Sequence, residues 1–324
     1  MTDVADAVRL VRNQGVTAPE GFRAAGIAAG IKSSGALDLA LVFNEGPDHA
    51  AAGVFTRNRV KAAPVLWTQQ VLTTGRLRAV ILNSGEPTPA PGRRFPRHAR
   101  HRGGRRRRVV GLGQRDRGDR GRRLLHGAHR RPAADGQGAG RRSGSGARNG
   151  GRAHRRRARG PAIMTTDTVP KQVALHHPGN WTVGGMAKGA GMLAPSLATM
   201  LCVLTTDAVA EAAALDHALR RAAALTFDRL DVDGSCSTND TVLLLASGAS
   251  EIAPSQADLD DAVQRVCDDL CAQLQADAEG VTKRITVAVT GAASDDDAVT
   301  AARAIARDSL VKTAMFGSDP NWAG

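Results

Sequence analysis

Two unbroken apolar runs mark the second half of the chain. Met200 to Leu204 and Val242 to Leu245 have no polar interruption, which predicts strands buried on both faces. Other stretches alternate instead. Leu37, Leu39, Leu41 and Phe43 recur at every second position and predict a half-buried strand, Ala79 to Leu82 a further one, and Ile285, Val287 and Val289 a partly exposed one. A helical period appears at Val263, Val266, Cys267, Leu270 and Leu274, with Ser255 and Asp258 as a capping pair in front. Helices are also expected over 210–225 and 297–313. Strands interspersed with helices argue for an α/β layered core, and no internal repeat interrupts the series.

The pattern stops at Gly85. From Glu86 to Gly160 there are 24 Arg, no Lys and four acidic residues, a net +20, so the rest of the chain carries −7 of the total of +13. Large apolar residues shrink there to Phe95, Val109, Val110, Leu112, Leu124 and Leu125. Such a block cannot bury enough surface to offset the entropy of ordering it, and disorder is the expectation for 86–161. One reading makes it an Arg-rich nucleic-acid-binding arm, against which stand a single aromatic residue for base stacking and the absence of Lys. The preferred reading is translation out of frame from a GC-rich coding region, since such codons yield mostly Arg, Gly, Ala, Pro and His. Nucleic acid is therefore not an expected partner.

The 324 residues suffice for about two domains or one large α/β unit. Cys202, Cys236, Cys267 and Cys271 form no metal-ligand spacing, so reduced thiols, no metal and a cytoplasmic location are expected. The acidic start Met1 to Asp6 does not read as a signal peptide, and no run of about 18 apolar residues predicts a membrane span.

The candidate chemistry lies between Gly184 and Asp207. A Gly-rich loop carrying Lys188 runs through Ala194-Pro195-Ser196 to Ala198-Thr199 and then into the first apolar run. A threonine hydroxyl is a poor nucleophile without an adjacent base. Cutting the chain just before the threonine supplies one, because the freed α-amine has an ordinary pKa of about 8. Taken alone, Thr199 is one of many threonines entering a strand, Lys188 a solvated loop charge, Asp233-Gly234 a turn and Glu279 an exposed charge ending an acidic helix.

The order of several separated motifs changes that. Gly184 to Asp207 resembles the self-cleavage region of the glutamate N-acetyltransferase (ornithine acetyltransferase) family of arginine biosynthesis. The likeness extends to Ile163 to Lys171, Asp233 to Thr241, Ala278 to Gly280 and Phe316 to Trp322, and to Gly21 to Gly26 and Val54 to Asn58. The resemblance implies a layered αββα-type sandwich, interrupted here by the Arg-rich block. It divides the chain into 1–85 as the N-terminal part of an α chain, 86–161 as the foreign block, 162–198 as the end of the α chain, and 199–324 as a β chain. It implies self-cleavage at Ala198-Thr199, with Thr199 then carrying an acetyl group from N-acetylornithine to glutamate, and substrate contacts at Thr165, Lys188, Thr199 and Glu279. No cofactor is implied, although some members accept acetyl-coenzyme A as donor. Two α and two β chains would assemble. A self-processing aminopeptidase-type hydrolase shares the same N-terminal-threonine logic and is the further alternative.

The departures from the family pattern are expected to matter. The family's oxyanion hole, a Thr-Gly pair, would fall inside the Arg-rich block, yet no Thr occurs between Pro89 and Gly160. Further family substrate contacts, an Asn and a Ser or Thr, would lie beyond Gly324. Loss of one oxyanion donor typically costs about a hundredfold to a thousandfold in rate, so the polypeptide as written is expected to be inactive and poorly able to fold.

Overall fold

The computed structural model describes residues 8–85, 109–115, 160–191 and 200–320. Their strands form two sheets. The first has six strands: β1 (Arg9–Val11), β4 (Ala51–Phe55), β7 (Lys171–His177), β8 (Trp181–Lys188), β9 (Leu201–Thr206) and β10 (Thr241–Ala246), in the order β1-β7-β8-β9-β10-β4. The second has four: β2 (Phe22–Ile27), β3 (Leu39–Asn44), β5 (Ala79–Gly85) and β6 (Val109–Arg115), in the order β2-β3-β5-β6. The helices are α1 (Ala63–Leu72), α2 (Ala212–Leu225), α3 (Gln256–Ala276), α4 (Asp295–Arg307) and α5 (Ser309–Gly317). Among the described residues no helix is long and apolar enough to cross a membrane.

The two apolar runs become β9 and β10, a parallel pair in register from Leu201 opposite Thr241 to Thr206 opposite Ala246. Their alternate residues serve two cores. Cys202, Leu204, Val242 and Leu244 pack under α2 and α3, while Leu201, Val203, Leu243 and Leu245 meet Val42, Val80 and Leu82 of the second sheet. Helix α3 turns Leu259, Val263, Val266, Cys267, Leu270 and Leu274 to the first core, the stripe its sequence period predicts. The Ser255 hydroxyl accepts from the Asp258 amide at its N-terminus.

The result is a helix-sheet-sheet stack, in accord with the expected layered α/β sandwich. A second helical layer on the outer face of the four-stranded sheet is not among the described residues, and that face leaves Leu41 37% and Ile27 53% exposed.

Several expectations are corrected. In β3 the period of two holds but the buried side is the other one, because the close sheet-to-sheet contact admits Ala40, Val42 and Asn44 while Leu39, Leu41 and Phe43 face outward. Residues 281–290 make no strand; their alternating Ile285, Val287 and Val289 find no sheet partner among the described residues. The helix expected over 297–313 is two helices, broken at Asp308, whose carboxylate accepts from the Leu310 and Val311 amides and starts a new helix. Inside the Arg-rich block, 109–115 pairs in parallel with β5, so the expectation of disorder does not hold for the part containing Val109, Val110 and Leu112. For residues 86–108 and 116–159 that expectation lies outside the described residues.

Candidate active site

One end of the six-stranded sheet collects the candidate chemistry. Strands β8 and β4 finish there with Lys188 and Phe55, and β7, β9 and β10 begin there with Lys171, Leu201 and Thr241. Lys188 stands beside Leu201 in the ladder. It is therefore the last residue of a strand and not a loop charge, and it is only 1% exposed. The glycines before it serve packing: a Cβ on Gly184 would stand 2.4 Å from the Gly15 carbonyl oxygen, and one on Gly185 2.8 Å from Leu204 and 2.9 Å from Leu270. Only glycine lets the 15–19 loop and helix α3 approach the two faces of β8 this closely.

The Lys188 ammonium donates to the Thr165 hydroxyl at 2.7 Å, so two of the predicted substrate residues are in direct contact. Behind them lies a buried ion network. Lys171 donates to Asp167 at 2.6 Å and to Asp277 at 2.5 Å, Asp167 accepts from the amides of Thr165 and Gly189, and Asp277 accepts from both the amide and the hydroxyl of Thr168. Burial alone would raise the Asp167 carboxyl, but Lys188, Lys171 and the Gly189 amide hold it below its usual value. The same burial lowers the Lys188 ammonium to about 8, with Asp167 opposing and Lys171 and Lys32 adding to the fall. A lysine in this state gives up its proton far more readily than an exposed one.

Glu279 approaches from the other side. It lies just past the end of α3 and is exposed; its amide donates to the Ala190 carbonyl at 2.7 Å, and a Cβ on Gly191 would stand 2.9 Å from its Oε2. Its carboxylate thus borders the Gly189-Ala190-Gly191 segment that follows Lys188. Ala198 and Thr199, the proposed cleavage site and nucleophile, lie outside the described residues. The next residue, Met200, is buried at the head of β9.

Sequence reasoning missed Asp240. Its Oδ1 accepts from the Met200 amide at 3.0 Å, it is 0% exposed, and burial pushes its carboxyl well above the usual range against that bond, the Thr56 hydroxyl and the Lys188 charge. The only signal was an acid directly preceding an apolar strand. In Asp233-Gly234 the turn reading holds: Gly234 has φ 69°, and the 234 and 235 amides bond to the carboxylates of Asp231 and Asp233. Among the described residues no cluster of His, Cys, Asp and Glu could hold a metal ion.

The ArgJ family model matches residues 23–102 and 144–324. The unmatched stretch between them falls inside the Arg-rich block. The chain is 68% identical to the arginine biosynthesis bifunctional protein ArgJ of Mycobacterium tuberculosis over an alignment 346 positions long, which covers 99% of this chain and 80% of that protein. The corresponding protein of Thermobifida fusca is 51% identical, covering 95% of this chain and 78% of its own length. A crystal structure of ornithine acetyltransferase complexed with ornithine, from Mycobacterium tuberculosis, is similar at 50% identity over 59% of this chain and 100% of that one, with a TM-score of 0.40.

Proposed function

The chain belongs to the ArgJ family, and from that premise we propose that its site carries out acetyl transfer from N-acetylornithine to glutamate through an acetyl ester on Thr199. The observation that carries this reading is the Lys188 to Thr165 contact at the sheet end where β9 begins, with Glu279 bordering the same segment. Hydrolysis of the Ala198-Thr199 bond takes up one water and leaves a carboxylate on Ala198 and an α-amine on Thr199. That amine accepts the hydroxyl proton as the Thr199 oxygen attacks the acetyl carbonyl. The tetrahedral adduct collapses, the acetyl–nitrogen bond breaks, and the proton passes to the departing amine of ornithine. The amine of glutamate then attacks the ester and regenerates the threonine.

The residues divide the recognition between them. Lys188 pairs with a substrate carboxylate, Glu279 with a substrate ammonium, and Thr165, already bonded to Lys188, supplies a hydroxyl. No cofactor takes part, although acetyl-coenzyme A is a chemically equivalent donor. The cleaved chains remain together, two α with two β, in the cytoplasm. The missing Thr-Gly pair removes transition-state stabilisation, and since loss of a single donor already costs about a hundredfold to a thousandfold in rate, acetyl transfer by this chain is slowed at least that much, down to inactivity.

The test is mass spectrometry of the purified chain. The expected products are two fragments, the second beginning Thr-Met-Leu, and an acetyl adduct on that fragment after incubation with N-acetylornithine. Thr199→Ala leaves one intact chain with no adduct. An intact, unacetylated chain from the unsubstituted sequence would sink the proposal.

A further inference from the structure

Among the described residues Lys32 is a cation with no ion pair. The turn that carries it is wrapped around Asp38, which is 0% exposed: Oδ1 accepts from the Ala29 amide at 2.6 Å, and Oδ2 from the Ile31 and Lys32 amides at 2.6 and 3.0 Å. Gly30 permits the turn with φ 79°. Those three amide bonds fix the root of the Lys32 side chain. Its ammonium then donates to neutral oxygens, the Leu37 carbonyl at 3.0 Å and the Met164 carbonyl at 2.6 Å. An ammonium has three donors, so one remains for a ligand. Burial of the half-buried side chain lowers its pKa, with the charges of Asp38 and Asp167 opposing.

The place of that charge says what it can hold. Met164 directly precedes Thr165, so Lys32 and Lys188 grip one short segment, the first by the Met164 carbonyl and the second by the Thr165 hydroxyl at 2.7 Å. Through those bonds the two ammonium groups stand within about 10 Å of each other, and the Lys32 charge adds to the lowering of Lys188. An extended five-carbon dicarboxylate with a hydrogen bond at each end spans about 10 Å as well. On the acetyl-transfer reading above, on which this inference rests, both substrates carry an α-carboxylate, but ornithine ends in an ammonium and glutamate in a second carboxylate. Lys188 and Glu279 match the two ends of ornithine, whereas they would set the γ-carboxylate of glutamate against Glu279. We propose that Lys32 is the specificity residue for the acceptor: Lys188 takes the α-carboxylate of glutamate, and the remaining N–H of Lys32 takes its γ-carboxylate. The side chain of the bound amino acid thus turns to Lys32 or to Glu279 according to its own charge.

The experiment compares two ligands, L-glutamate and L-ornithine, in calorimetric titrations of the full chain with and without Lys32→Met. Methionine keeps the apolar stem and removes the ammonium. Glutamate affinity is expected to fall about tenfold or more, as befits loss of one charge-assisted hydrogen bond, while ornithine binding is unchanged or tightened. A role confined to clipping Met164 would loosen Thr165 and Lys188 for both ligands alike. Equal weakening therefore overturns the inference, as does an unchanged glutamate affinity. Should Lys32→Met fail to fold, the unsubstituted chain is treated with a trace acylating label: protection of Lys32 by glutamate and not by ornithine supports the contact, and equal labelling in the presence of either ligand overturns it. A chain that binds neither ligand defeats the acetyl-transfer reading and this inference together. One that binds ornithine but not glutamate, or both without regard to Lys32, defeats this one alone.

Discussion

The wall of the site made by Asp167, Lys171 and Lys188 and the wall made by Glu279 and the residues after it are held in different ways. In the first, the Lys171 side chain is 0% and the Asp167 side chain 1% exposed, and each charge is met by an opposite charge or an amide. In the second, Glu279 is exposed and fixed through its backbone, residues 281–290 run on without a sheet partner, and α4 and α5 bury only Ala314. Beyond Ala314, polar contacts tie those helices down: Arg303 to the Asp228 carbonyl, Arg307 to Asp231, Lys312 to the Val232 carbonyl, and Lys283 to the Met315 and Phe316 carbonyls. The first wall is therefore organised before any ligand arrives. The second can shift without disturbing the core.

The largest expected effect is in the ion network. Lys171→Ala leaves Asp167 and Asp277 buried against each other with no cation between them, and should cost about 3–5 kcal/mol in urea unfolding. Arg307→Ala, at a half-exposed pair, should cost no more than about 1 kcal/mol. Equal losses would erase the contrast between the walls.

Apolar truncations should divide in the same direction. Leu204→Ala, under α3, opens a cavity in a packed layer and should cost about 2–5 kcal/mol. Leu310→Ala, at a residue 69% exposed, should stay within about 0.5 kcal/mol. Thermal unfolding of the two variants side by side reads the difference, and a Leu310 loss as large as that of Leu204 would mean that α5 is part of the core.

The first wall was also the less legible one in the sequence. Strands β9 and β10 and helix α3 announce themselves because both faces of the strands, or one full stripe of the helix, are apolar. The β7-β8 hairpin does not, since Lys171, Gly184, Gly185 and Lys188 break the pattern, and nothing local says that the lysines will be neutralised by Asp167 and Asp277, the latter 106 residues away from Lys171. In β3 the eye follows Leu39, Leu41 and Phe43, while the sandwich selects the smaller Ala40 and Val42. Thr165, Lys188 and Glu279 were found through the order of motifs; Asp240 was not, because a carboxylate's value here depends on a hydrogen bond across strands that sequence spacing does not reveal.

The smallest effect is a pH dependence that belongs to one wall only. Burial depresses Lys188 from 10.5 to about 8, so below pH 8 the folded and unfolded chains both carry its proton and the slope is flat. Between 8 and 10.5 the unfolded chain holds a proton that the folded chain has released, and stability must rise with pH, by about 1 kcal/mol at pH 9. Lys188→Met removes that rise while Glu279→Gln leaves it in place, as urea midpoints at pH 7 and pH 9 will read. A rise that survives in Lys188→Met would assign the titration to another group, and one that vanishes in Glu279→Gln would mean that the exposed wall is coupled to the buried one.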